Sequence, residues 1–268
     1  MNVPASSPPI LTAKRAGVLT VTLNRPESRN ALSESLMRAL QLTLDEAVDD
    51  REVKALVLAA KGSVFSAGHD LKELTAHRRD PDRGLEYYRA IFAQCSRLMQ
   101  TVVRHPKPVI AQVQGVATAA GCQLVASCDL AVASTDARFA TPGVNIGLFC
   151  STPMVALSRA VPRKQAMEML LTGEMIPAAR ALEIGLINRA VPAEELDSAV
   201  ASLAAVISGK SPKVLAIGKE AFYRQADLGL AEAYAYASEV MTRNMMAHDA
   251  AEGIDAFIEK RHPTWQGR

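Results

Sequence analysis

Short apolar runs alternate with stretches of helical periodicity as far as about residue 208, and this alternation constrains the fold more than any other feature. Four of the runs are typical of buried strands: Val18 to Leu23, Lys54 to Ala60, Val109 to Val113 and Asp129 to Ala133. Between the first two, apolar residues recur at helical spacing from Ser33 to Val48. Strands that alternate with helices predict an α/β fold with parallel pairing.

The pattern changes near residues 208 to 211. From Pro212 to Arg261 no run has strand character, whereas Leu230 to Met246 and Asp249 to Lys260 are amphipathic helical stretches. We therefore expect a flexible N-terminal tail (1–10), an α/β core (11–208) and a helical C-terminal segment (209–268). A segment of about 60 residues buries too little surface alone, so it is expected to pack on the core or on another subunit.

Charge and hydropathy exclude two classes of partner. Thirty Lys and Arg against 28 Asp and Glu give a net charge of +2, without the basic excess that nucleic-acid binding favours. The longest apolar runs are far shorter than the roughly 18 residues of a membrane-spanning helix. We expect neither a nucleic-acid partner nor a membrane.

The cysteines and histidines indicate neither a disulfide framework nor a metal site. The four cysteines show no Cys-x-x-Cys spacing, which favours packing roles in a reducing compartment, and the first ten residues do not resemble a secretory signal. We therefore expect a cytoplasmic protein. The five histidines include no pair at i, i+4, so no zinc ligand set is predicted.

Several common catalytic motifs are missing. No Gly-x-Gly-x-x-Gly follows the first strand, and neither a phosphate-binding P-loop nor a Gly-x-Ser-x-Gly elbow occurs. An NAD-binding domain is therefore disfavoured.

Two turns of small residues stand where a predicted strand gives way to a helix. They are Phe65 to Asp70 and Ala119 to Gln123, and each exposes backbone N–H groups at a helix start. Side by side, they would aim two amide donors at one point, which is the geometry that holds a thioester carbonyl and its enolate. The alternative is that small residues merely allow close packing of strand and helix.

Blocks of sequence in a fixed order resemble the enoyl-CoA hydratase/isomerase (crotonase) superfamily across residues 10–262. The blocks are Leu23 to Glu27, Arg29 to Leu32, Phe65 to Leu74, Lys107 to Ala111, Ala120 to Cys122, Cys128 to Leu130, Met167 to Gly173 and Ala181 to Asn188. The resemblance implies a crotonase-like spiral of ββα repeats with C-terminal helices in trimer contacts, often in hexamers. It also implies an acyl-CoA ligand from fatty acid metabolism, with coenzyme A as part of the substrate and no other cofactor.

The same resemblance assigns site residues. The backbone N–H groups of His69 and Ala120 should form the oxyanion hole, and Arg29 and Lys72 should contact the nucleotide end of coenzyme A. The remaining residues implied in substrate binding are Ala31, Ala67, Gly68, Asp70, Leu71, Gly121 and Pro142.

The chain departs from the family at two positions. Enoyl-CoA hydratases carry two glutamates that activate and position water, but Gln123 and Gly143 occupy those places here. Glutamine has no titratable proton near neutral pH and glycine has no side chain. Two hypotheses remain: a lyase or isomerase with unconventional catalytic groups, or an acyl-CoA binding or regulatory protein without hydratase activity.

No substitute base is evident among the nearby polar residues. Asp70 is expected to cap a helix, Asp129 to have a structural role beside its strand, and Asn145 offers only an amide.

Overall fold

The computed structural model describes residues 7–268, and within them the chain forms two β-sheets surrounded by helices. The strands are β1 Ile10–Arg15, β2 Val18–Leu23, β3 Ala55–Ala60, β4 Val64–Ser66, β5 Val109–Val113, β6 Val116–Thr118, β7 Leu130–Ser134, β8 Arg138–Ala140, β9 Ile176–Pro177 and β10 Arg189–Val191. The α-helices are α1 Glu34–Asp49, α2 Leu71–Ala76, α3 Leu85–Arg104, α4 Ala120–Ser127, α5 Ser151–Ala160, α6 Arg163–Thr172, α7 Ala178–Glu183, α8 Leu196–Ser208, α9 Pro212–Gln225, α10 Leu230–Met245 and α11 His248–Ile258. Short 3-10 helices cover Pro26–Ser28, His77–Arg79, Pro142–Ile146 and Ala193–Glu195.

The sheet order follows from a repeated ββα unit. The larger sheet runs β1-β2-β3-β5-β7-β10 and the smaller one β4-β6-β8-β9. Three times a strand of the larger sheet is followed by a strand of the smaller one and then by a helix, in β3–β4, β5–β6 and β7–β8. This is the α/β spiral that the sequence resemblance implied, so the predicted fold class is confirmed.

Local sequence explains the first repeat. Ser33 begins α1 as its N-cap because its hydroxyl accepts a hydrogen bond from the Leu36 N–H. Leu36, Leu40 and Leu44 then form the buried stripe of α1, which packs on α3. Strand β3 is buried on both faces, as expected for a central parallel strand.

The C-terminal helices are fastened to the core by a buried polar cluster. Lys219 of α9 lies 2.7 Å from the Asp129 carboxylate, and the Tyr223 hydroxyl donates to the same carboxylate at 2.9 Å. Burial raises the pKa of Asp129 and lowers that of Lys219, and the attraction between the two opposes both shifts. The Val109 N–H also donates to Asp129. The structural role predicted for Asp129 is confirmed.

The N-terminal tail predicted at 1–10 lies largely outside the described residues, and β1 begins at Ile10. Among residues 7–268, no single helix is long and apolar enough to cross a membrane; Ala193–Ser208 and Pro212–Gln225 pass that test only as a pair bent by 102°. The same residues contain no group of three metal-ligating side chains. All four cysteines are buried and free, as expected for packing roles.

Candidate active site

The two small-residue turns predicted from the sequence touch each other in the structure. Gly68 has a φ of +89°, and a Cβ at this position would lie 2.8 Å from the Ala119 Cβ and 3.1 Å from the Ala120 nitrogen. A side chain here would therefore meet both backbone strain and a steric clash. The close approach of the two turns depends on this glycine.

A second glycine closes the same contact from the other side. A Cβ on Gly121 would lie 2.3 Å from the Ser66 carbonyl oxygen, a backbone atom that cannot easily move. Strands β4 and β6, which lead into the two turns, pair in parallel. The turns are thus fixed relative to each other by backbone contact, independently of any polar side chain.

Two backbone amides remain free at this contact. Within residues 7–268, the N–H groups of His69 and Ala120 donate to no carbonyl or side chain. Ala120 is the first residue of α4, where the helix dipole adds to the positive potential. Ala119 before it has φ 49° and ψ −120°, a conformation unusual for alanine and of the kind that concentrates at functional sites.

The segment 29–32 is bonded to the first turn. The Leu32 N–H donates to the Gly68 carbonyl at 2.7 Å, and the Ala67 N–H donates to the Arg29 carbonyl at 3.1 Å. These bonds bring Arg29 and the buried Ala31 to the junction. The Arg29 side chain is exposed.

Asn30 is a supporting residue that sequence reasoning quoted within a motif but did not single out. It is fully buried, and its amide nitrogen donates to the carbonyls of Lys61 and Val64 at 2.9 and 2.7 Å. Its side-chain oxygen accepts from the Arg25 N–H. An asparagine placed after the turn-forming Pro26 is the only signal that the sequence offers for this role.

Asp70 caps α2, as predicted. Its carboxylate accepts from the backbone N–H groups of Lys72 and Glu73 at 2.9 and 3.2 Å. With the carboxylate occupied in this way, Leu71 and Lys72 begin the helix with exposed side chains. Both lie directly after the His69 turn.

Gln123 and Gly143 occupy tightly packed positions. Gln123 lies in α4 with 4% of its surface exposed, and its Oε1 has no hydrogen-bond partner. Gly143 lies in the 3-10 helix that Pro142 begins, where a Cβ would be 2.5 Å from the Leu148 carbonyl oxygen. The structure therefore leaves no room for a side chain at residue 143.

The imidazole of His69 is also buried without a partner. Within residues 7–268, neither Nδ1 nor Nε2 has a partner in hydrogen-bond geometry or is reached by solvent. Burial lowers the pKa of this imidazole, which favours its neutral form, and an interaction with the Leu32 backbone only partly opposes this effect on the pKa. Its ring meets the edge of Phe92 from α3 with centroids 5.3 Å apart. Phe92 was absent from the sequence-predicted site because only the packing of α3 brings it there.

Other polar features lie away from these turns. Asn145 is exposed, and its amide donates to the Gly173 carbonyl. Two surface cavities of about 330 and 480 Å³ lie beside α9 and between α1 and α3, and neither is lined by a predicted site residue. The chemistry that the turns suggest is therefore associated with neither cavity.

Comparison with known proteins identifies similar chains of established family. The model of the enoyl-CoA hydratase/isomerase family matches residues 13–268. A rat protein named enoyl-CoA hydratase domain-containing protein 3, mitochondrial, is 48% identical over 97% of this chain and 85% of its own length. A crystal structure of an enoyl-CoA hydratase from Mycobacterium smegmatis is 51% identical, with a TM-score of 0.91 over 97% of this chain and 99% of that one. The human enoyl-CoA hydratase domain-containing protein 3 is 47% identical, with a TM-score of 0.91 over 96% of this chain and 100% of that one.

The comparison corrects the expected location. The rat protein is named as mitochondrial, as are the mouse, frog and human proteins of the same name. The prediction of a cytoplasmic protein is therefore wrong. Its physical basis was weak, because cysteines without paired spacing fit any reducing compartment equally well.

Proposed function

The chain belongs to the enoyl-CoA hydratase/isomerase family, and we propose that it binds an acyl-CoA thioester whose carbonyl oxygen accepts hydrogen bonds from the His69 and Ala120 amides. The observation that carries this proposal is the pair of free N–H groups at the interlocked turns. Fixed amides of this kind stabilise an enolate, and removing one such donor typically costs about 10² to 10³ in rate. Gly68 and Gly121 support the donors by allowing the turns to touch.

Arg29 and Lys72 are proposed to hold the phosphates of the nucleotide end. Both are exposed cations on segments that adjoin the first turn, Arg29 through the bond of its carbonyl to Ala67 and Lys72 through the Asp70 cap. Guanidinium and ammonium groups form charge-assisted bonds to phosphate oxygens. Each exposed contact contributes on the order of 1 kcal/mol.

Within the family, the proposed reaction is that of a lyase or isomerase that does not use the usual pair of glutamates. Gln123 supplies hydrogen bonds without a titratable proton, and Gly143 has no room for a carboxylate. Enolate stabilisation without acid–base groups at these positions predicts slow hydration of crotonyl-CoA.

The same two replacements favour a second candidate, an acyl-CoA binding or regulatory protein without hydratase activity. It predicts affinity for the thioester without product. Turnover of a panel of CoA thioesters, measured beside calorimetric binding, separates the two candidates.

The binding proposal is tested with Arg29→Ala/Lys72→Ala. The double variant should bind acyl-CoA several-fold more weakly and with a flatter salt dependence, measured by calorimetry at low and high salt. Arg51→Ala/Lys210→Ala removes two exposed cations elsewhere and should bind as the natural protein does. Unchanged affinity of the first variant at low salt would exclude the assignment.

The role of residue 123 is tested with Gln123→Glu. A carboxylate at this position should raise the rate of crotonyl-CoA hydration at least about tenfold, because one positioned acid–base group contributes about 10² to 10⁴. The readout is loss of crotonyl-CoA absorbance, with folding checked by circular dichroism. Hydration by the natural protein at tens of turnovers per second, a typical enzyme rate, contradicts the proposal that Gln123 disables it.

We also propose that the protein is a trimer or a multiple of one. Helices α9 to α11 leave large apolar side chains exposed, among them Phe222, Leu230 and Phe257. Exposed apolar surface of this kind marks an interface between proteins. Light scattering at micromolar concentration should give a multiple of three chains, and a monomer would refute it.

A further inference from the structure

His69 contributes its backbone amide to the proposed oxyanion hole, and the ring nitrogens of its side chain are unpaired in the described part of the chain. A neutral imidazole carries one N–H donor and one acceptor nitrogen, and neither has a partner among residues 7–268. Leaving such groups buried and unpaired is costly, so each case in a folded protein calls for an explanation. A ligand that enters the site provides one.

A second unpaired polar side chain belongs to α4, the helix that begins at the contact of the two turns. The Oε1 of Gln123 is buried without a donor, and Gln123 follows Ala120 by three residues on α4, which places both on one face of that helix. Ala120 in turn lies against Gly68, the residue before His69. The two turns that touch here are therefore each followed or accompanied by a residue with an unpaired buried polar side chain, His69 in the first and Gln123 in the second.

We propose that the His69 imidazole is the acid–base group that removes and returns the proton on C2 of the bound acyl chain. This inference rests on the proposed function, because the N–H of the same residue is one of the donors to the thioester oxygen. C2 is bonded directly to the carbonyl carbon, so a carbonyl held by the His69 amide keeps C2 within one side chain's length of the ring. The T-shaped contact with Phe92 restricts the orientation of the imidazole ring.

The step conserves atoms and charge. The free imidazole nitrogen takes the C2 proton, and the electron pair of the broken C–H bond moves into the carbonyl to give an enolate on the thioester oxygen. When solvent replaces the proton on the imidazolium and the new proton returns to C2, the C2 hydrogen is exchanged; when the proton goes instead to C4 of a chain with a 3,4 double bond, the double bond shifts to the 2,3 position. No oxidant, metal or water molecule is consumed.

The test uses His69→Ala, which removes the imidazole and keeps the backbone amide. In deuterium oxide, the natural protein should exchange the C2 protons of saturated acyl-CoA thioesters from acetyl- to octanoyl-CoA, measured by NMR. His69→Ala should lose about 10² to 10⁴ in exchange rate with its calorimetric affinity for the thioester changed less than about threefold. Free imidazole should restore part of the lost rate, which a merely structural histidine would not allow.

Two further variants act as controls. His69→Gln retains hydrogen bonding without a titratable group, and it should exchange as slowly as His69→Ala. His262→Ala removes an exposed imidazole elsewhere and should leave exchange and binding unchanged.

The results separate this inference from the proposed function. If the natural protein binds the thioesters but exchanges no C2 proton, or if His69→Ala exchanges at the natural rate, the role of the imidazole is refuted and the binding proposal stands. If the natural protein binds no thioester, the proposed function fails as well.

Discussion

Two histidines have ring nitrogens that are shielded from solvent, but the polar surroundings of the two rings differ. In the corner between α3 and β5, the Nδ1 of His105 accepts from the Lys107 N–H at 3.1 Å, and its Nε2 donates to the Leu44 carbonyl at 3.1 Å. In the turn after β4, neither ring nitrogen of His69 has a hydrogen-bond partner in the part of the chain that the structure describes. A histidine with both nitrogens bonded holds the fold together, whereas one with both unmet costs the fold stability and is suited to meeting a ligand.

The comparison predicts that removing the two rings lowers the free energy of unfolding by different amounts. His105→Ala leaves two backbone groups unpaired in a buried corner and opens a cavity, so it should lower the free energy of unfolding by about 4 kcal/mol. His69→Ala also leaves a cavity but unpairs no backbone group, so its loss should be smaller than that of His105→Ala by about 2 kcal/mol. Urea unfolding followed by circular dichroism measures both. Equal losses of unfolding free energy in the two variants would contradict the difference inferred between the two histidines.

The pH dependence of stability provides a second test of the difference between His105 and His69. Burial lowers the pKa of His105 from 6.5 to about 4, so the unfolded chain binds this proton more readily than the folded chain does. The stability from neutral His105 is therefore complete above pH 6.5 and is lost as the pH falls towards 4, a loss of about 3 kcal/mol. Burial of His69 acts in the same direction. Urea unfolding between pH 7.5 and 4 measures the slope.

His105→Gln is the matched variant for that experiment. It cannot titrate in this range, so its free energy of unfolding should fall less steeply with decreasing pH than that of the natural protein. An identical slope would show that other groups dominate.

The smallest expected effect concerns Gln123, the other unpartnered polar group of the site. Gln123→Leu replaces a buried, unpaired acceptor by an apolar side chain of similar size, so it should raise the free energy of unfolding by about 1 kcal/mol. Thermal unfolding provides the measurement. A loss of stability would mean that the Gln123 amide is satisfied in the folded protein, and the contrast with His105 would then weaken.

Sequence patterns predicted the buried strands well and the smaller sheet poorly. Strand β2 spans the predicted Val18 to Leu23, because its β-branched and apolar residues form a recognisable run even though Thr20 and Thr22 lie within it. Strands β4, β6 and β8 have three residues each, too few for a period to be recognised. The edge strand β1 is mostly exposed, and its mixed sequence has neither an apolar run nor a regular alternation to detect.

The sequence predicted the parts of the candidate site that require glycine. It could not predict the parts whose hydrogen-bond partners are set by tertiary contacts. Gly68 and Gly121 are visible in the sequence because their positions exclude any side chain. The difference between His69 and His105 is invisible there, because the partners of His105 are the backbone groups of Leu44 and Lys107. Any residue type carries those groups, so only the folded chain shows which histidine they reach.

The proposed donors to the thioester belong to the main chain, and this affects how such a protein can acquire new chemistry. Every residue except proline at positions 69 and 120 would keep its N–H, as long as the two glycines hold the turns together. Activation of the thioester carbonyl would then persist through changes of side chain, whereas the side chains at positions 69 and 123 would determine the reaction. A library randomised at those two positions should therefore yield variants that differ in product and still recognise the same thioester.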